Sequence, residues 1–214
     1  MNTQERELVR FLRLLDGLDC LQHVMLIGSW AELLYERAGL LEGFEPSIKT
    51  MDIDFLVRNM RRPVPEVQVA AEARGKGYLV ESDRITDVTK LYSTEGLEIE
   101  FLIGKVGAGL EASLRTNLGV TAQSLRHMEV LARHMVTVAH EGMAVNIPAP
   151  EAYVVHKMVV NKERGKKQEK DTQAIIRMWP FLDPEVLGKV FAGLTRKERL
   201  RVTSFLEAHG LHIS

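Results

Sequence analysis

Met51-Asp52-Ile53-Asp54-Phe55-Leu56-Val57 alternates acid with apolar residue and then turns wholly apolar. That pattern predicts a β-strand with Asp52 and Asp54 on one face and Ile53 and Phe55 on the other. The two carboxylates must then point the same way. Upstream, the apolar run over 23–27 ends at Gly28-Ser29, and helical spacing resumes from Trp30 to Arg37, which predicts strand, turn and helix. Downstream, Leu97, Ile99 and Phe101 alternate with Glu98 and Glu100, beyond a turn at Thr94-Glu95-Gly96 that joins them to a strand over 90–93. A third strand therefore sends two more acids to one face, and taken alone it reads as the exposed side of an edge hairpin.

Around this centre the chain alternates strands and helices. Leu8, Phe11, Leu12 and Leu15 lie at helical spacing with Arg6, Arg10 and Arg13 outward, which predicts an N-terminal helix over 5–16 that covers the sheet. Gly39, Gly43, Pro46 and Ser47 mark 39–49 as a loop. Pro63 and Pro65 are expected to open a helix reaching Arg74, with a strand over 78–80 after it. A second hairpin is predicted over 136–138 and 143–147. Pro148 and Pro150 then introduce a helix over 151–164, a polar break at 165–167, a helix to Trp179, and two closing helices over 184–193 and 195–209. Thr195 with Glu198 forms a capping box for the last. The expected architecture is α/β, a short mixed β-sheet with helices plus a helical C-terminal region, divided as a core over 1–147 and a helical part over 148–214.

Composition narrows the class. With 45% hydrophobic and 27% charged residues in 214, the chain is neither disordered nor fibrous. The lone Cys20 excludes metal sites built from several cysteines and suits a reducing cytoplasm. No signal-like leader and no apolar run of about 18 residues occurs, so a soluble cytoplasmic protein without membrane contact is expected. The net charge of -1 conceals an asymmetry: residues 1–100 hold 12 Lys and Arg against 18 Asp and Glu, and residues 101–214 hold 16 against 11.

The acids suggest metal chemistry. Two carboxylates at period two, with a third on a neighbouring strand, offer the hard oxygen donors that suit Mg²⁺ or Mn²⁺. A nucleoside triphosphate would complete the coordination. Gly28 would let the backbone approach its phosphates, and Ser29 with the first amides of the next helix would donate to them. Each part alone reads more simply, as a solvated strand face or an ordinary turn. Their order along the chain, and like charges in an otherwise apolar strand, favour the metal reading.

The stretches Leu26-Ile27-Gly28-Ser29, Asp52-Ile53-Asp54-Phe55-Leu56 and Ile99-Glu100-Phe101-Leu102 resemble the signature of the DNA polymerase beta-type nucleotidyltransferase superfamily. Residues 147–153 with His156-Lys157 and Lys170-Asp171-Thr172-Gln173-Ala174 are similar to a bacterial group of nucleotidyltransferase domains, and more distantly to AbiEii-like toxins. The resemblance covers about residues 20–180. It implies Asp52, Asp54 and Glu100 as metal ligands, with Glu98 a competitor for the third place, and Gly28 and Ser29 as phosphate contacts. It also implies that Lys157 faces the triphosphate beside Asp171. The interval from Ser29 to Asp52 is longer than in compact members, which marks 39–49 as an insertion.

Lys157, Lys162, Arg164, Lys166, Lys167 and Lys170 form a basic segment opposed only by Glu163 and Glu169. Most of it reads as a solvated helix end, but Lys157 lies inside an apolar run and is expected either to snorkel or to enter a cleft. His156 is expected to be a packed histidine. The functional expectation is transfer of a nucleoside monophosphate from an NTP to an acceptor hydroxyl, with RNA favoured by the basic segment and an antitoxin protein as possible partner. A protein or small-molecule acceptor such as an aminoglycoside, or a non-catalytic nucleotide-binding module, are the alternatives.

Overall fold

The computed structural model describes residues 2–46, 50–105 and 112–213. Its elements are α1 (Thr3–Gly17), β1 (Val24–Ile27), α2 (Ser29–Arg37), β2 (Asp52–Val57), α3 (Val69–Gly75), β3 (Leu79–Ser82), β4 (Thr89–Tyr92), β5 (Glu98–Gly104), β6 (Ser113–Arg115), β7 (Thr121–Leu125), α4 (Glu129–Ala132), β8 (Met135–His140), β9 (Met143–Pro148), α5 (Pro150–Val160), α6 (Gln168–Met178), α7 (Pro184–Ala192) and α8 (Arg196–His209). The main sheet is mixed and has seven strands. Its path runs β1-β2-β5-β4-β3, and β7 joins β5 and carries β6. β2 and β5 are parallel, as are β5 and β7, and the other pairs are antiparallel. The hairpin β8-β9 stands apart from this sheet.

β5 is therefore not an edge strand. One side is filled by β2, and the other is shared by β4 against its first half and β7 against its second. The sequence reading missed β6, β7 and α4, whose segment Thr121-Ala122-Gln123-Ser124-Leu125 is short and half polar. Pro63 and Pro65 do not open a helix. Backbone and side-chain hydrogen bonds with the 117–118 turn hold 60–68 in an irregular path of turn and bends, including Asn117 Nδ2 to Pro63 O at 2.9 Å and Val67 N to Asn117 O at 2.9 Å, so α3 starts only at Val69. α5 also stops earlier than predicted, at Val160, and passes into two single 3₁₀ turns over 161–167.

Alternation in β2 and β5 gives the sheet an apolar back. Phe55 and Phe101 stack with ring centroids 5.8 Å apart, and Phe11 of α1 packs on both at 5.6 and 6.3 Å. α1 thus covers the back, with Leu8, Phe11, Leu12 and Leu15 fully buried, and Asn2 and Glu5 form a capping box at its start. The cluster of buried side chains continues from α1 through the sheet to Val202, Phe205 and Leu206 of α8. Within the predicted 39–49 insertion, residues 47–49 lie outside the described residues. Leu41 and Phe44 are buried, and Phe44 meets the Phe181 ring at 6.0 Å, which ties this loop to the C-terminal region.

Candidate active site

The acids lie on the front of the sheet. Parallel register sets Asp52 beside Glu98 and Asp54 beside Glu100, so the four carboxylates form a two-by-two block. On β1, Ile27 pairs with Asp54, which brings Gly28 to the same end. Gly28 has φ of 72°, and a Cβ there would lie 3.0 Å from Asp54 Oδ2. Both the turn and the close approach require glycine at this position. α2 begins at Ser29 with no side-chain cap, which leaves its first N–H groups pointing toward this end of the sheet.

Crowded like charge has a measurable consequence. Burial, then Glu100, then Asp52 push the Asp54 carboxyl up to about 6, against the weaker pull of Lys167 and Arg164. Lysines brought from elsewhere compensate part of the charge. Lys90 of β4 places Nζ 2.5 Å from Glu98 Oε1 and 2.5 Å from Glu100 Oε1, and these bonds push its own pKa upward. Lys167 Nζ lies 3.2 Å from Asp52 Oδ2.

The opposite wall is helical and basic. Lys157 is buried and meets Asp171 Oδ1 at 2.5 Å, while Arg164 Nε meets Asp171 Oδ2 at 2.8 Å. Burial raises the Asp171 carboxyl, but Lys157 and Arg164 outweigh it and hold it below the usual carboxylate range. Between sheet and wall lies a cleft of about 390 Å³. It is acidic at Asp52, Asp54, Glu98 and Glu100, basic at Lys90, Lys157, Arg164 and Lys167, and apolar at Leu102, Leu125, Met128, Leu131 and Val160. His156 also lines it, with its Nε2 buried and unpartnered and its pKa pushed down to about 3, by burial first and Lys157 second. A group that stays neutral through the physiological range cannot serve there as a cation.

Of the residues singled out in the sequence, Gly28, Asp52, Asp54, Glu98, Glu100, Lys157 and Asp171 line this one cleft. Ser29 opens instead onto an adjoining chamber of about 340 Å³, which Lys157 also lines. Sequence reasoning missed Lys90 and Glu32. The alternation of Lys90 with Leu91 was a usable signal for the first; nothing local marks the second, a buried acid on α2.

Among the described residues, no three His, Cys, Asp or Glu side chains converge as they would around a bound ion. Glu98 and Glu100 instead meet on the Lys90 ammonium, and Asp52 pairs with Lys167. The donor chemistry nonetheless fits a hard divalent cation, because β2 and β5 present carboxylates on one face and Asp54 is held above its ordinary range by burial first and then by the charges of Glu100 and Asp52. A cation would relieve that repulsion.

A family model described as Nucleotidyltransferase matches residues 6–175 of the chain. No curated protein matches it by sequence. Among solved structures, it is similar to the crystal structure of an antigenic nucleotidyltransferase-like protein from Paracoccidioides brasiliensis, with a TM-score of 0.57 and 15% identity over 98% of this chain and 91% of that one. At that identity the likeness speaks for the fold. No helix among the described residues is long and apolar enough to cross a membrane.

Proposed function

The chain belongs to the nucleotidyltransferase family, and from that premise we propose that it transfers a nucleoside monophosphate from an NTP to the hydroxyl of an RNA acceptor, using Mg²⁺ or Mn²⁺. The observation that carries the reading is the carboxylate block of β2 and β5 facing Gly28 on one side and Lys157 on the other, within one cleft. Asp52, Asp54 and Glu100 would hold the metal, which when bound supplies charge neutralisation for the phosphates and the attacking oxygen. Glu100 takes the third place over Glu98 because it stands beside Asp54 in register and acts on its titration, whereas Glu98 stands beside Asp52.

The chain's own groups then divide the work. The Gly28-Ser29 turn and the first N–H groups of α2 bind the triphosphate. Lys157, held by Asp171, draws its negative charge to one side and meets the pyrophosphate as it leaves. Glu100 takes the proton of the acceptor hydroxyl, whose oxygen attacks the α-phosphorus in line as the bond from that phosphorus to the departing pyrophosphate breaks. The helical residues 148–214 close over the nucleotide, and the apolar end of the cleft receives its base. Lys162, Lys166 and Lys170 are exposed and suit the phosphates of a polynucleotide. The resemblance to AbiEii-like toxins extends the reading to the toxin of a toxin–antitoxin pair acting in the cytoplasm, with a protein antitoxin as partner.

One observation favours a second reading. Lysines already sit on three of the four acids, as they would in a non-catalytic nucleotide-binding module. Incubation with each α-labelled NTP, Mg²⁺ and total RNA, comparing wild type with Asp54→Ala, separates the two. Label on RNA that disappears in the variant is expected. Label on a protein or on an aminoglycoside would move the acceptor, and no transfer to any acceptor would leave the binding module.

A further inference from the structure

The chamber beside the cleft contains a group that the proposed chemistry does not use. Glu32 sits one turn after Ser29 on α2 and is 2% exposed. It lines the chamber with Ser29, Lys157, Lys170 and Arg177. A buried carboxylate is out of place where phosphates are to bind, since it repels them and is costly to bury. Its contacts suggest what it does. Glu32 Oε1 accepts a hydrogen bond of 2.7 Å from the Tyr153 hydroxyl of α5, across 121 residues of sequence. Arg177 lies 4.0 Å from Oε2.

Tyr153 in turn supports Lys157. The two are one turn apart on α5, and Lys157 Nζ lies 4.9 Å from the centroid of the Tyr153 ring. Tyr35 packs edge-on against the same ring at 5.9 Å. Lys157 is thus held from below by a ring and from beyond by Asp171. The ring is fixed in turn by a hydrogen bond to the helix whose N-terminus is the Gly28-Ser29 turn.

We propose that Glu32 and Tyr153 are positioning residues that set the distance between the Gly28-Ser29 turn and Lys157, so that both ends of a triphosphate are gripped at once. The proposal rests on the nucleotide reading of the cleft. Glu32 works through its hydrogen bond rather than through its charge, and it need not touch the substrate. The loop-and-lysine grip is made from two helices far apart in sequence, and this bond, buried between them, locks α2 to α5 one turn away from each of the gripping groups.

Calorimetric titration with tripolyphosphate, together with steady-state kinetics on the preferred NTP, tests it. Tyr153→Phe keeps the ring beneath Lys157 and removes only the hydroxyl. It should weaken tripolyphosphate binding and raise KM for the NTP by about tenfold, with kcat changed by less than about twofold. Glu32→Leu should match it, whereas Glu32→Gln, whose amide oxygen still accepts from Tyr153, should stay within about threefold of wild type. Unchanged tripolyphosphate affinity in Tyr153→Phe, even with a lower Tm, would overturn the proposal. So would a loss in Glu32→Gln equal to that in Glu32→Leu, which would assign the effect to charge. Wild type that binds tripolyphosphate but transfers no nucleotide would remove the transfer reading alone, and weakened binding in Tyr153→Phe would still uphold this pair.

Discussion

The two faces of the β2-β5 pair are built from the same two stretches, 52–55 and 98–101, and they are stabilised in opposite ways. On the back, Ile53, Phe55, Ile99 and Phe101 are buried to within 1% and pack on one another and on Phe11. On the front, Asp52, Asp54, Glu98 and Glu100 repel one another and depend on Lys90 of β4 and Lys167 of the 3₁₀ turn after α5. Apolar burial is non-directional, so any well-shaped neighbour satisfies the back. Charge compensation needs particular ammonium groups at particular distances, so the front is completed only by residues from elsewhere in the fold. Stability and chemistry are thus separated by the width of one strand.

The largest test of this division is Phe101→Ala. It should cost about 3–5 kcal/mol in urea denaturation, because it opens a cavity among three rings, and it should do so equally with and without Mg²⁺. Next comes pH. The Asp54 carboxyl titrates near 6 in the folded protein against an ordinary value of 3.8. The folded state therefore holds that proton more tightly than the unfolded chain, and the stability from this group, fully present below about pH 4, is lost as pH rises to about 6. The loss should approach 3 kcal/mol in metal-free protein and be absent in Asp54→Asn, measured as the difference between the two at pH 4 and pH 7.

Within the front, Glu100→Gln should lower kcat/KM by about 100-fold and Glu98→Gln by less than about threefold. The reverse order would make Glu98 the third acid. The smallest effect on stability belongs to Lys90→Met. Its ion pairs are about one-third exposed, at 34% for Lys90 and 28% and 22% for the two acids, so the loss of stability should be only about 1 kcal/mol in thermal melts. That variant should also shift the Asp54 midpoint further upward, read by NMR titration, since one compensating charge has gone.

Much of this was legible along the chain. The alternation of Asp52 to Phe55, the Gly28-Ser29 turn and the Thr195-Glu198 capping box depend on neighbours two to four residues apart, and the structure has each of them. The hairpins read over 90–103 and 136–147 were also legible, because their turns are short, the second extending in the structure to Met135 and Pro148. The Pro63-Pro65 segment misled, since hydrogen bonds from Asn117, more than 50 residues away, decide its path. β7 was missed because a strand of five residues in the middle of a sheet needs no alternation stronger than Ala122 and Ser124 turned inward.

The sequence by itself determined that two acids share a face of one strand, that two more share a face of another, and that a glycine turn and a basic helix end accompany them, because strand and helix periods are local. Only the tertiary structure decided that these strands lie side by side in parallel, with Asp54 beside Glu100, Lys90 across the acids and Lys157 resting on a tyrosine anchored to α2. Register and helix packing are fixed by contacts between residues distant in the chain, and a one-residue slip of β5 would have turned every one of its acids to the back.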